Sequence, residues 1–299
     1  MAGHVELVLD AQAVLGEGPL WDEREKCLYW VDIVSQALHV YNPASGENKT
    51  SHVGQMVGTV VLSETGSVLL AVQNGFAWFD LVSGKLDIII DPESDKPGNR
   101  FNDGKCDPGG RFWAGTMDVS ASVPRKGSLY RLDPDMSVHT MLTDVSISNG
   151  IVWTADHKTM YFNDSIPGTV TAFDFDNATG GISNPRVVIQ VPENMGVPDG
   201  MAIDSEGMLW IAHFYGGAVH RWNPDTGKVL ETIKLPASNP SACAFAGDNL
   251  DELYITTARD SLSAEQLKQE PHSGGLFHVK TGVTGTVTHR FRGQQASRS

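Results

Sequence analysis

The chain has 299 residues and a formal net charge of -14, with 40% hydrophobic residues, 31 glycines and 15 prolines. This composition suits a folded, turn-rich protein with a sizeable core. The acidity argues against nucleic acid or an anionic membrane surface as a partner, because the long-range field repels polyanions. The opening Met1-Ala-Gly-His-Val-Glu-Leu7 lacks a basic region followed by an apolar run, and no stretch reaches membrane-spanning length. Cys27, Cys106 and Cys243 lie far apart with no CxxC spacing, which suggests neither a disulfide framework nor a thiolate zinc site. A protein of a reducing compartment, the cytoplasm, is expected.

Apolar segments with a central aromatic or large aliphatic residue recur along the chain at 28–31, 68–71, 112–115, 160–163, 209–212 and 253–256. Their centres, Tyr29, Leu69, Trp113, Tyr161, Trp210 and Tyr254, fall 40 to 49 residues apart, a repeat of supersecondary size. Turns with hairpin chemistry precede most of them, as at Asp107-Pro-Gly-Gly110 and Asp204-Ser-Glu-Gly207. Each repeat then carries a third strand, usually entered through glycine, from 37–41 in the first to 274–278 in the sixth. A fourth strand completes the unit, as at 229–235. Four-stranded sheets that cannot bury both faces alone do so by packing radially against their neighbours. The expected fold is therefore all-β, a six-bladed β-propeller with four antiparallel strands per blade. It should form one domain over residues 1–292, followed by a disordered polar tail at 293–299. The nearest helix candidate, 263–269, is a short loop helix.

In such a ring the first strand of each repeat lines the central channel. There, an oxygen-bearing side chain directly precedes glycine in Glu17-Gly18, Asp103-Gly104, Asn149-Gly150 and Asp199-Gly200. Taken singly, each pair is an ordinary turn. At equivalent repeat positions they converge near one channel mouth, where the second and sixth repeats offer only Val57-Gly58 and Ser241-Ala242. Glu17, Asn149 and Asp199 together present two carboxylates and an amide. Hard oxygen ligands without cysteine or histidine suit Ca²⁺, Mg²⁺ or Mn²⁺ better than a structural zinc, and three ligands leave coordination sites for water and substrate. Arg100, Asn102 and Asp103 crowd one loop beside this set. An arginine and an amide can hold sugar hydroxyls or a carboxylate; equally, Arg100 can serve only to neutralise nearby acids. The histidines show no HxxxH or HExxH spacing, and His213 alone lies close to the set within its repeat. No Gly-x-Ser-x-Gly elbow and no phosphate-cradling loop is visible.

The segments Gly16-Glu-Gly-Pro-Leu-Trp21, Asn99-Arg-Phe-Asn-Asp-Gly-Lys-Cys-Asp107, Trp113-Ala-Gly-Thr-Met117, Ile147-Ser-Asn-Gly150 and Pro198-Asp-Gly-Met-Ala-Ile-Asp204 resemble the regucalcin (senescence marker protein 30) and gluconolactonase family. The likeness covers nearly the whole chain, and Arg-Phe-Asn-Asp-Gly-Lys is its most specific piece. It implies a six-bladed propeller with one divalent ion held by Glu17, Asn149 and Asp199, the choice among Ca²⁺, Zn²⁺, Mn²⁺ and Mg²⁺ staying open. It also implies hydrolysis of a small-molecule sugar lactone, with Arg100 and Asn102 contacting substrate and Asp199 acting as base or orienter for the attacking water. Animal members of the family carry paired glutamates shortly after Gly-Thr-Met. This chain reads Asp118-Val119-Ser120 there, and the following loop is shorter, leaving Asp118 as the acid expected to contact substrate. Two rivals remain: a calcium-binding regulatory propeller without turnover, and a hydrolase of other esters or phosphotriesters, which a wide apolar channel mouth would favour.

Overall fold

Buried β-branched and aromatic runs separated by Asp- and Gly-containing turns form antiparallel hairpins throughout the computed structural model, which describes residues 3–295. The first strand, β1 (Glu6–Leu9), stands apart from the hairpin that follows it. Blade 1 comprises β2 (Gly16–Asp22), β3 (Cys27–Asp32), β4 (Ala37–Asn42) and β5 (Glu47–His52). Blade 2 comprises β6 (Val57–Leu62), β7 (Val68–Val72), β8 (Gly75–Phe79) and β9 (Leu86–Ile90). Blade 3 is built from β10 (Asn99–Cys106), β11 (Phe112–Asp118), β12 (Gly127–Leu132) and β13 (Val138–Val145). Blade 4 follows with β14 (Ser148–Trp153), β15 (Thr159–Asp164), β16 (Thr169–Asp176) and β17 (Gly181–Gln190). Blade 5 has β18 (Val197–Ile203), β19 (Leu209–Phe214), β20 (Ala218–Asn223) and β21 (Lys228–Lys234). Blade 6 consists of β22 (Pro240–Ala246), β23 (Glu252–Thr257) and β24 (Leu276–Lys280), and takes β1 as its outer strand. The expected six-bladed propeller with four antiparallel strands per blade is the observed architecture. The loop helix is α1 (Ala264–Gln269), started by a capping box between Ser263 and Gln266.

The recurring aromatic segments are the second strands, and their rings fill the spaces between blades. Phe76 meets Phe101 and Phe112 at centroid distances of 4.7 and 5.2 Å, Trp113 meets Trp153 at 5.9 Å, and Trp210 meets Phe245 at 6.0 Å. Two hairpin turns are pinned to these rings. Asp107 Oδ2 accepts from Trp113 Nε1 at 2.8 Å and from Arg111 at 3.0 Å, and Asp204 Oδ2 accepts from Trp210 Nε1 at 3.0 Å and from Arg221 at 2.7 Å. Among the described residues no helix is long and apolar enough to cross a membrane.

Each inner strand (β2, β6, β10, β14, β18, β22) carries a register shift beside its pre-glycine position, or beside Ser241-Ala242 in β22, and such a bulge re-aims the side chains next to it. The bulges touch one another around the ring. Thr59 Oγ1 donates to Gly104 O at 3.0 Å, Asn102 Nδ2 to Asn149 Oδ1 at 3.0 Å, Asn163 Nδ2 to Asp199 O at 2.6 Å, and Ser241 Oγ to Gly16 O. Crowding explains the glycines here: a Cβ on Gly58 would lie 2.3 Å from Asn102 O, and one on Gly200 2.4 Å from the Ala242 Cβ.

Below this ring lies a cavity of about 80 Å³, lined by Leu20, Val60, Asp103, Lys105 and Met201 and reached from the far end by residues Thr286 to His289. The C-terminal segment crosses that end of the channel. It bonds Ile203 O through the Thr286 amide, pairs Phe291 with Leu62 and Glu64, and sets Arg290 against Asp22 in a buried ion pair. Of the polar tail expected from residue 293, Gly293 is packed on Phe291, while 296–299 lie outside the described residues.

Candidate functional site

The bulges at the start of β2, β14 and β18 bring Glu17, Asn149 and Asp199 to one end of the channel, each nearly inaccessible to solvent. The Glu17 and Asp199 carboxyl groups reach each other within hydrogen-bonding distance. Two acids buried together cannot both ionise cheaply. Burial first, and then the charge of Asp103, pushes Glu17 up from 4.5 to about 8. Asp199 is also raised well above the usual carboxylate range, by burial and then by the charge of Glu17. Glu17 Oε2 accepts the Gly18 amide at 3.0 Å, whereas Asp199 Oδ1 has no hydrogen-bond partner. Asn149 is held at both amide atoms: its Oδ1 accepts from Asn102 and its Nδ2 donates to Ser165 Oγ at 2.8 Å. An oxygen amide has a second lone pair, so Asn149 Oδ1 retains one acceptor site.

Arg100 and Asn102 lie beside this group, as the loop spacing suggested. The Arg100 guanidinium donates to Asn102 Oδ1 at 2.7 Å and to Phe101 O at 3.0 Å, and burial lowers its pKa to about 10 against the opposing charges of Glu17, Asp199 and Asp260. Asn102 bridges to Asn149 and to Ser148 O. Asp103, which sequence spacing grouped with the mouth, lines the cavity below instead. The bulge in β10 sets Asn102 and Asp103 both opposite one partner residue, so the two side chains separate toward mouth and cavity. Asp118 ends β11 opposite Asn99 and is already engaged: Lys126 Nζ lies 2.9 Å away and Ser120 Oγ donates to it, which pulls its pKa down to about 2.

His213 is not a ligand. Its Nε2 accepts from Trp222 Nε1 at 3.2 Å, its Nδ1 faces Met195 O at 3.0 Å, and burial drives its pKa down to about 3. Sequence reasoning missed Asn163 and Ser165, which anchor Asn149 and the Asp199 backbone. Their signal was available: Asn163 pairs across the hairpin with Asn149 itself. Among the described residues no three His, Cys, Asp or Glu side chains gather as a metal cluster. The donor set here is two carboxylates and an amide. It fits a hard divalent ion, because two buried acids with an orphaned oxygen lack sufficient counter-charge and a cation would supply it.

A family model described as SMP-30/Gluconolactonase/LRE-like region matches residues 15–259. The regucalcin of Xenopus laevis is 40% identical over 294 residues, 97% of this chain and 98% of the relative. Among solved structures, a luciferin-regenerating enzyme superposes with a TM-score of 0.91 at 33% identity, covering 97% of this chain and 99% of the other. A calcium-binding regucalcin from Agrobacterium tumefaciens superposes with a TM-score of 0.92 at 29% identity, over 97% and 98% of the two chains.

Proposed function

Because the chain belongs to the SMP-30/gluconolactonase/LRE-like family, we propose that it is a metal-dependent lactonase opening a sugar lactone to the aldonic acid. The observation carrying this reading is the buried Glu17–Asp199 carboxyl pair, with Asp199 Oδ1 unpartnered, beside Asn149 and the Arg100 guanidinium at the channel mouth. Glu17, Asn149 and Asp199 would hold the ion. A divalent ion there would polarise the lactone carbonyl and balance the developing oxyanion charge. Asp199 takes a proton from the attacking water as its oxygen bonds to the carbonyl carbon. The ring C–O bond then breaks, and the proton passes to the departing ring oxygen, which becomes the hydroxyl of the product acid. Arg100 and Asn102, fixed to each other, orient the ring hydroxyls, which contributes through positioning. Three buried free thiols fit a cytoplasmic setting.

The test is a pH-indicator assay over a panel of aldonolactones, run after chelation and again after adding Ca²⁺, Mn²⁺, Mg²⁺ or Zn²⁺. Turnover should vanish on chelation and return with at least one ion. Arg100→Ala should lower turnover while leaving ion affinity intact; loss of both would make Arg100 structural. A structural neighbour described as calcium-binding supports a second reading, an ion-holding propeller without turnover. Ion binding with no lactone hydrolysed would favour that reading.

A further inference from the structure

The upper turns, which join the second strand of a blade to the third, rim the mouth above the site. Strand register places several of their residues over the site side chains. Asn149 pairs with Asn163, three residues before Ile166. Pro198, next to Asp199, pairs with His213, two residues before Tyr215. Arg100 pairs with Met117, two residues before Val119. Each lies in the turn just past its strand, one or two residues beyond Asp118, Asp164 and Phe214. All are large, apolar and open to solvent: Val119 is 37% exposed, Val123 47%, Ile166 55% and Tyr215 59%.

They come from the three consecutive blades 3, 4 and 5, so they form an arc instead of scattered contacts. The opposite end of the channel differs in its turns, its exposed apolar side chain being Val287 on the C-terminal crossing. There the turns between first and second strands read Glu23-Arg-Glu-Lys26, Glu64-Thr-Gly66, Pro108-Gly-Gly110, Ala155-Asp-His157, Ser205-Glu-Gly207 and Gly247-Asp-Asn249, with no exposed large apolar side chain among them. At the upper end, blades 2 and 6 present Gln73-Asn74 and Asp260-Ser261, which separate this arc from Val34, 43% exposed on the upper turn of blade 1. Tyr215 also has φ 65, a conformation that a bulky side chain adopts only at a cost, with its ring edge-on to Phe214 at 4.7 Å.

We infer that the preferred substrate is a lactone bearing an alkyl or aryl substituent remote from its carbonyl, seated against Val119, Val123, Ile166 and Tyr215. This goes beyond the proposed sugar-lactone substrate and rests on the lactonase chemistry of that reading. The inner wall of Arg100, Asn102 and Asn149 is polar and compact and takes the lactone ring and carbonyl. The arc takes what projects outward, and apolar surface removed from water there is the source of the preference.

The experiment measures kcat/KM for glucono-δ-lactone, δ-valerolactone and δ-valerolactone homologues carrying a methyl, propyl or pentyl group beside the ring oxygen. The protein is the metal-loaded full chain and its Ile166→Ser/Tyr215→Asn variant, asparagine being chosen because it tolerates positive φ. The expected result is a rise of about fourfold per added methylene, as burial of each group predicts, and a flattened slope in the variant. A rising slope that the variant leaves unchanged overturns the assignment to this arc. A flat slope with glucono-δ-lactone turned over best overturns the inference and leaves the lactonase reading standing. If neither kind of lactone is hydrolysed, both fall.

Discussion

On the proposed function, Glu17 and Asp199 would tie ion binding to pH, because acids buried together retain a proton that water would otherwise remove. Between its ordinary value of 4.5 and its raised value of about 8, native Glu17 holds a proton that the unfolded chain releases. The native state therefore binds more protons in that window, and the ion-free protein loses stability as pH rises through it. Loading the ion expels the proton, so affinity and ion-induced stabilisation grow over the same range. The rise in Tm on adding Ca²⁺ or Mn²⁺ should be larger at about pH 8 than at about pH 5; an equal or opposite trend would place the ion elsewhere. Calorimetric titration gives the mutational counterpart. Glu17→Ala or Asp199→Ala should abolish tight binding, since these groups supply the anionic charge, and Asn149→Ala should weaken it less. Parent-like binding by both carboxylate variants would exclude this triad.

If the substrate is a sugar lactone, as proposed, the strand-joining loop at 118–126 would set how sharply hydroxyl configuration is read. Asp118, the acid expected to meet substrate, already accepts from Lys126 and Ser120, so it has little capacity left for a sugar hydroxyl. A hydroxyl without a partner forfeits about 0.5 to 1.5 kcal/mol, enough to shift preference by up to about tenfold. The kcat/KM values for gluconolactone, galactonolactone and a pentonolactone should therefore lie within about tenfold of one another. A preference above roughly a thousandfold, about 4 kcal/mol, would mean that unrecognised residues read the hydroxyls. Asp118 is pulled down to about 2, so it stays ionised across the neutral range and the discrimination should not vary there with pH.

Two long-range contacts hold the ring as a whole. β1 pairs with β24 and completes blade 6, placing Val5 and Leu7 against a core shared by blades 5 and 6. The C-terminal crossing is fixed by the ion pair of Arg290 with Asp22, whose side chains are 8% and 5% exposed. Removing one partner of a buried pair strands the other charge, so Arg290→Ala should cost about 3 to 5 kcal/mol in denaturant unfolding. Arg290→Met combined with Asp22→Asn should cost less than the sum of the single changes. Additive effects would show that the crossing is held by its backbone bonds alone.

Repeat length, strand positions, blade number and the oxygen-bearing side chains before glycine were legible in the sequence, because each depends on local pattern. Short apolar runs, hairpin turns and an aromatic or large aliphatic centre at 40 to 49 residue intervals specify a blade without reference to the rest of the chain. Arg100 and Asn102 were legible for the same reason, being neighbours on one strand. The fourth strand of blade 6 was not. Residues Glu6–Leu9 carry no mark of a partner more than two hundred residues away, since an edge strand pairs with whatever edge the closed ring presents. Nor could spacing tell Asn102 at the mouth from Asp103 in the cavity. Strand side chains alternate faces, and a single bulge resets that alternation, so only the paired structure decides which of two adjacent residues meets the site. The engagement of Asp118 by Lys126 and the apolar arc above the site arise likewise from separate turns brought side by side, and tertiary packing alone sets that proximity.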